Sequence, residues 1–108
     1  MTESRLDLLT EIVKQNPENL LARYGLAMEY SQQDDSEKAL ENFRLLMELN
    51  PDYVAAYYQS GRVLQKLGEV ERAREMFTTG ISASERVGDL HARSELEAAL
   101  AELQEGSG

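Results

Sequence analysis

Few side chains in this sequence are of the types that carry out catalysis, and their spacing does not bring them together. His91 is the only histidine, and there is no cysteine. A general acid or base must lie within hydrogen-bonding distance of the group it serves, and no serine is spaced to form a triad with His91. We therefore expect His91 to be a solvated residue in the first turn of a helix. The alternative is a hydrogen-bonding residue at the edge of a groove.

The remaining candidates for chemistry are acidic. Asp34, Asp35 and Glu37 lie close together, but they supply too few ligands and no glycine for a calcium loop. We predict that they form a turn and a helix cap. The sequence also lacks a glycine-rich motif that could hold a phosphate. It therefore predicts a protein that is not an enzyme, with no catalytic residues, no metal site and no cofactor.

Charge and composition limit the classes of partner. The 108 residues carry a formal net charge of -9, with 42% hydrophobic and 29% charged residues. Nucleic acids and anionic membranes are disfavoured as partners because both require a basic surface. The N-terminal segment is charged and lacks the apolar core of a signal peptide, and no apolar run approaches the ~20 residues of a membrane span. We expect one domain in the cytoplasm.

Apolar residues recur at spacings of three and four along most of the chain, which is typical of amphipathic helices. We predict six helices, which span Glu3 to Gln15, Pro17 to Gln33, Asp35 to Leu49, Asp52 to Leu67, Glu69 to Val87, and Leu90 to Gln104. Asp35 is the predicted cap of the third helix. In the first helix, Leu6, Leu9, Ile12 and Val13 are expected to lie on one face. Asn16-Pro17 and Asn50-Pro51 are predicted helix starts, since asparagine caps helices and proline suits the first helical position. Gly68 and Gly88 are predicted helix ends.

The sequence partly repeats after 34 residues. Asn16-Pro17 corresponds to Asn50-Pro51, Tyr24 to Tyr58, Ala39 to Ala73, and Phe43 to Phe77. A fixed period of this length indicates an array of stacked structural units. With two helical segments in each period, the pattern resembles the tetratricopeptide repeat, and specifically a short bacterial-type member of that family with a C-terminal capping helix.

The resemblance implies an all-α fold, an α-solenoid of antiparallel helix pairs in a right-handed superhelix. It implies a single domain over residues 1–105, divided into a half-repeat helix (1–16), two repeats (17–50 and 51–87) and a capping helix (88–105), with a flexible tail at 106–108. Three residues depart from the family pattern. Arg23 replaces a large aromatic residue, Ser60 replaces leucine, and Glu85 replaces proline. Because of these departures, the family pattern does not determine how the second helix pair and the capping helix pack.

In this family the first helix of each repeat lines a concave groove that holds a peptide or a helix. The matching positions here are Leu21, Tyr24, Met28, Ser31 and Gln32, followed by Ala55, Tyr58, Arg62, Gln65 and Lys66. Tyr24 and Tyr58 are expected to stack along the groove; the alternative is that they pack between helices. Tyrosine, methionine and arginine are enriched at the centres of interfaces. The positions that grip a terminal carboxylate in part of the family hold Tyr24, Met28 and Gln59 here, so binding to chaperone tails is not predicted.

We therefore predict a non-enzymatic protein-interaction module or scaffold that binds a protein or peptide partner. The charge of that partner stays open, because Arg62 and Lys66 favour an acidic segment whereas the net charge favours a basic one. The alternative is a structural role as a homo-oligomer, formed through the open ends of the stack or through Leu20, Leu21 and Leu45.

Overall fold

The computed structural model describes residues 4–106. These residues form six α-helices and no β-strand, which confirms the all-α prediction. The helices are α1 (Arg5–Gln15), α2 (Leu20–Gln32), α3 (Ser36–Leu49), α4 (Val54–Lys66), α5 (Val70–Val87) and α6 (Leu90–Gly106). The chain divides into two compact units between Asn50 and Pro51. The predicted helix start at Glu3, and Ser107 and Gly108 of the predicted tail, lie outside the described residues.

The predicted helix starts at the two Asn-Pro pairs are wrong. Asn16 and Asn50 instead end α1 and α3, each donating its backbone N–H to a carbonyl of the preceding helix at 2.9 Å. The residue before a proline is pushed out of the helical region, so each helix stops there. The carbonyl of Asn16 then accepts the N–H of Asn19 at 3.0 Å, which places Pro17 second in a β-turn. Asn19 is the actual cap of α2, its side chain accepting the N–H of Ala22 at 3.0 Å.

In the first unit, α2 packs between α1 and α3. Val13, Ala22 and Leu26 are buried together, with Leu6, Leu9 and Tyr30 against them. The α2–α3 contact uses the small residues Ala27 and Ala39, both fully buried. Small side chains let two helix backbones approach closely, and the ring of Phe43 fills the adjoining space. Of the four residues on the apolar face of α1, Val13 is buried, whereas Ile12 is exposed.

The second unit repeats this arrangement with glycine in place of alanine. A Cβ atom added at Gly61 would lie 2.3 Å from Phe77 Cε1, so α4 and α5 approach as closely as the ring permits. Helix α6 then packs on α5, burying Leu96, Ala99 and Leu103. These three belong to the apolar stripe predicted for a capping helix.

Several predicted helix ends are confirmed. Gly68 and Gly88 have φ of 80° and 74°, the left-handed region that favours glycine. Asp35 caps α3 by accepting the N–H of Lys38 at 3.3 Å, as expected for this acidic turn. The side chain of Asp89 accepts the N–H of Ala92 at 2.9 Å at the start of α6. The tail prediction is wrong at its first residue, since α6 continues to Gly106.

One departure from the repeat pattern, Arg23, has a local explanation. Arg23 is only 9% exposed and donates to Asn42 Oδ1 at 3.0 Å and to the Pro17 carbonyl at 3.1 Å. Tyr57, its counterpart 34 residues later, donates its hydroxyl to the Pro51 carbonyl at 2.7 Å. An arginine and a tyrosine thus fasten equivalent turns. Ser60 is buried in the place of leucine, and its hydroxyl has no hydrogen-bond partner.

Candidate functional site

The first unit contains a groove of about 650 Å³ between α1 and α2. Both walls follow helical spacing, because residues three or four apart lie on one face of a helix. The residues that line the groove are Arg5, Leu9 and Ile12 from α1, Asn19 from the preceding turn, and Leu21, Ala22, Tyr24, Gly25, Met28 and Gln32 from α2. The groove is therefore mainly apolar, with neutral polar groups and one arginine.

Exposure and charge define this groove further. Leu21 is 74% exposed and Ile12 is 44% exposed, so apolar surface reaches solvent on both walls. Arg5 Nε lies 3.4 Å from Glu29 Oε2, which compensates the charge of the arginine inside the unit. The ring of Tyr24 is half-buried and meets Phe43 edge-on, with centroids 6.1 Å apart. Tyr24 thus contributes both to the core and to the groove.

Four of the five residues predicted on α2 line this groove, namely Leu21, Tyr24, Met28 and Gln32. Ser31 is half-buried and does not line it. Sequence reasoning missed the contribution of α1, because it placed Leu9 and Ile12 on the apolar face of this helix but assigned no groove residue to it. The apolar stripe of α1 is wide enough to cover both the core and a groove wall, and that width was the available signal.

In the second unit, the five predicted residues lie on α4. Ala55, Arg62 and Lys66 are exposed, while Tyr58 and Gln65 are half-buried. The ring of Tyr58 lies 6.2 Å from that of Phe77. This surface is more polar than the groove of the first unit.

The arginine of this surface has partners within its own unit. Arg62 Cζ lies 6.0 Å from the centroid of the Tyr58 ring. Arg62 also forms an ion pair with Glu102 of α6 at 3.4 Å. The capping helix therefore places a carboxylate beside the predicted binding residues of α4.

The pKa of Tyr57 is raised above its usual value of 10.0, and burial of the hydroxyl is the main cause. The charge of Arg86 opposes this increase, and the charge of Asp52 adds to it. Arg86 and Asp52 form an ion pair at 2.8 Å next to the Pro51 carbonyl that Tyr57 contacts. This hydroxyl serves the turn before α4 and has no geometry for proton transfer to a ligand.

The first unit has a second, smaller cavity, of about 340 Å³. It is lined by Pro17, Glu18, Arg23, Leu45, Glu48 and Leu49. Arg23 Nε is buried without a hydrogen-bond partner, but its other nitrogens are occupied by Asn42 and Pro17. Of the positions considered for self-association, Leu20 and Leu45 are half-buried.

His91 is exposed, and its Nε2 lies 3.7 Å from Glu95 Oε1 one helical turn away. Within residues 4–106, no group of three histidine, aspartate or glutamate side chains is arranged to hold a metal ion. No helix in the same range has the length and apolar character needed to cross a membrane.

Comparison with known families gives a clear match to this architecture. The model of the tetratricopeptide repeat matches residues 21–53 and 54–86, more than half of the chain. The chain belongs to the tetratricopeptide repeat family. Each matched range spans one helix pair, α2–α3 and α4–α5, except for the first residue of α2 and the last residue of α5.

Individual relatives agree with this membership. A TPR repeat-containing protein of Pseudomonas aeruginosa is 28% identical over 95 residues, covering 88% of this chain and 90% of that protein. The solution structure of a tetratricopeptide repeat domain protein from Salinibacter ruber is 32% identical, covers 82% of this chain and 90% of that one, and has a TM-score of 0.77.

The structure of PcrH in complex with the chaperone binding region of PopD has a TM-score of 0.89, with 95% of this chain and 78% of PcrH covered. At 10% identity that likeness concerns the fold alone.

Proposed function

We propose that this protein is a non-enzymatic interaction module that binds a segment of a partner protein, and that the groove between α1 and α2 is its principal contact surface. The observation that carries the proposal is the exposed apolar wall formed by Leu21 and Ile12 over a volume of about 650 Å³. Large contiguous apolar patches on protein surfaces often mark sites of interaction with other molecules.

Family membership supports the same function. PcrH, which shares the fold, has been captured with a region of another polypeptide, PopD. We extend this mode of action to the present chain, with Leu21, Tyr24, Met28 and Gln32 as contact residues on α2. Tyr58, Arg62 and Lys66 on α4 are proposed as further contacts, because tyrosine and arginine are enriched at interface centres.

Affinity capture from an extract of the native cells tests the proposal. The most informative variant is Leu21→Ser, because a leucine that is 74% exposed contributes little to the core. Leu90→Ser is a matched control, since Leu90 is 73% exposed but lies at the start of α6. We expect proteins that are retained by the native protein and by Leu90→Ser to be lost with Leu21→Ser.

A second variant addresses the tyrosines. The Tyr24→Ala/Tyr58→Ala protein is expected to lose the same proteins, and its circular dichroism must show that it is folded, because both rings contact buried phenylalanines. Retention of the same set of proteins by Leu21→Ser would reject the groove between α1 and α2. Retention of nothing by the native protein would count against an interaction module as such.

A further inference from the structure

Gly25 is a residue whose presence the fold does not explain. It lies in the middle of α2, where glycine is among the least favourable residues for a helix. Glycine is favoured where φ is positive, as at Gly68 and Gly88, but Gly25 does not have a positive φ. The backbone conformation at position 25 is therefore one that alanine adopts more readily.

Close packing does not require this glycine either. At Gly61 and Gly80, an added Cβ would lie within 2.8 Å of atoms of buried aromatic residues. At Gly25, the nearest atoms to an added Cβ are the two terminal methyls of Leu9, at 3.3 and 3.4 Å, followed by Arg5 Nη2 at 3.8 Å. These are ends of flexible side chains that line the groove, and Leu9 also packs against the buried cluster, so the methyl requires Leu9 to shift by a few tenths of an ångström.

The space above Gly25 is the groove itself. We propose that Gly25 is a specificity-determining residue, whose missing side chain leaves room for a bulky, uncharged apolar side chain of the partner segment. This inference rests on the proposed function and specifies which chemistry the groove accepts.

The charges of the groove indicate a neutral occupant. Arg5 is its one lining residue with a formal charge, and that charge is compensated by Glu29 at 3.4 Å. A charged partner side chain inserted here would be desolvated without a matching charge, which is costly. The groove volume of about 650 Å³ is within the range of ligand-binding pockets in proteins, so the groove is large enough to hold a bulky side chain.

The second repeat provides an internal comparison. The positions that correspond to Gly25 and Met28 are Gln59 and Arg62, so the equivalent positions of α4 carry longer, polar side chains. Both repeats share the tyrosine at Tyr24 and Tyr58, but in the first repeat it is accompanied by a glycine and a methionine, which line an apolar groove. The apolar anchor of the partner is therefore assigned to the first unit.

Selection from a random-peptide library displayed on phage, with the whole protein as bait, tests the inference. We expect enriched peptides to share a leucine, isoleucine, methionine or phenylalanine at one position. Synthetic copies of these peptides, measured by fluorescence anisotropy, should bind Gly25→Ala about tenfold or more weakly, the usual effect of one misplaced methyl group in an apolar pocket. The same peptides with alanine at the shared position should discriminate less between the two proteins.

Stability separates this role from a packing role. The melting temperature of Gly25→Ala should be equal to or higher than that of the native protein, because alanine favours the helix. Gly106→Ala is the matched control, since nothing lies within 4 Å of the methyl that it adds. This control should bind the peptides as the native protein does.

Each other outcome has a definite meaning. Unchanged affinity, or a melting temperature that falls with the affinity, would overturn the role of Gly25 and leave the proposed function intact. A shared acidic residue or terminal carboxylate among the peptides would overturn the apolar anchor. Light scattering that shows dimers dissociated by Gly25→Ala would identify a second copy as the occupant, against the inference. If the native protein enriches no peptide, the proposed function itself fails.

Discussion

Replacing Gly61 by alanine tests how the second unit brings its helices together. The added Cβ would lie 2.3 Å from Phe77 Cε1, 2.6 Å from Cδ1 and 2.8 Å from Cζ. Carbon atoms that are not bonded to each other are most stable about 3.5–4.0 Å apart. The ring must therefore move by roughly an ångström or more, or α4 and α5 must separate. Phe77 is fully buried, so no solvent-filled space is available to receive the ring.

The expected cost follows from two opposing contributions. Overpacking a core usually lowers the free energy of unfolding by about 1–3 kcal/mol. Three contacts below 3 Å place Gly61→Ala at or beyond the upper end of that range. Alanine in a helix interior recovers about 1 kcal/mol relative to glycine. We therefore expect a net loss of about 2 kcal/mol, which for a domain of this size lowers the melting temperature by roughly 10 °C.

Urea unfolding followed by circular dichroism measures this loss. Phe77→Leu supplies the control, because it removes the ring that the new methyl would strike. In the Phe77→Leu background, Gly61→Ala should cost clearly less, giving a coupling free energy of about 1 kcal/mol or more, as expected for residues in contact. A Gly61→Ala protein as stable as the native one would refute the close approach of the two helices. The same cost in both backgrounds would refute Phe77 as its cause.

Two further predictions concern the hydrogen bonds to the proline carbonyls. Arg23→Leu should lower the free energy of unfolding by about 1–3 kcal/mol, because it removes both hydrogen bonds that the buried arginine donates. Arg23→Tyr should lose less stability, since its hydroxyl can reach the Pro17 carbonyl as that of Tyr57 reaches the Pro51 carbonyl. Equal losses for the two variants in urea unfolding would contradict this. Because the pKa of Tyr57 is raised in the folded state, its contribution to stability is complete below about pH 10 and is lost as the pH rises through the folded-state pKa. Between neutral and strongly alkaline pH, the free energy of unfolding should therefore decrease less steeply for Tyr57→Phe than for the native protein. The same decrease in both proteins would contradict the raised pKa.

The helix ends show which parts of the fold a single sequence reveals. Gly68 and Gly88 were predicted correctly because the signal is local: each residue ends a helix with a positive φ, which glycine adopts readily. The Asn-Pro pairs were interpreted wrongly because a β-turn and a helix start favour the same residue types. At the first pair, the hydrogen bond from the Asn19 N–H to the Asn16 carbonyl and the cap that Asn19 forms on α2 distinguish the two structures, and both depend on where α1 ends.

The candidate site was predicted in part for a similar reason. Leu21, Tyr24 and Met28 follow from position within the repeat, which fixes the exposed face of α2. The α1 wall does not follow, because it depends on the angle and distance at which α1 packs on α2. Ile12 shows the difference: its spacing assigns it to the core face, yet the crossing of the two helices leaves it 44% exposed.

The two repeats of this chain also show where functional information resides. Positions that contact the neighbouring helix are the same or nearly so, as with Ala39 and Ala73, or Phe43 and Phe77, because the spacing between backbones permits little variation. Positions on the exposed face differ in kind, as with Met28 and Arg62. Packing between helices constrains those residues less, since Arg62 is exposed and Met28 is only half-buried. Their identities are accordingly the part of the sequence that a partner can have selected.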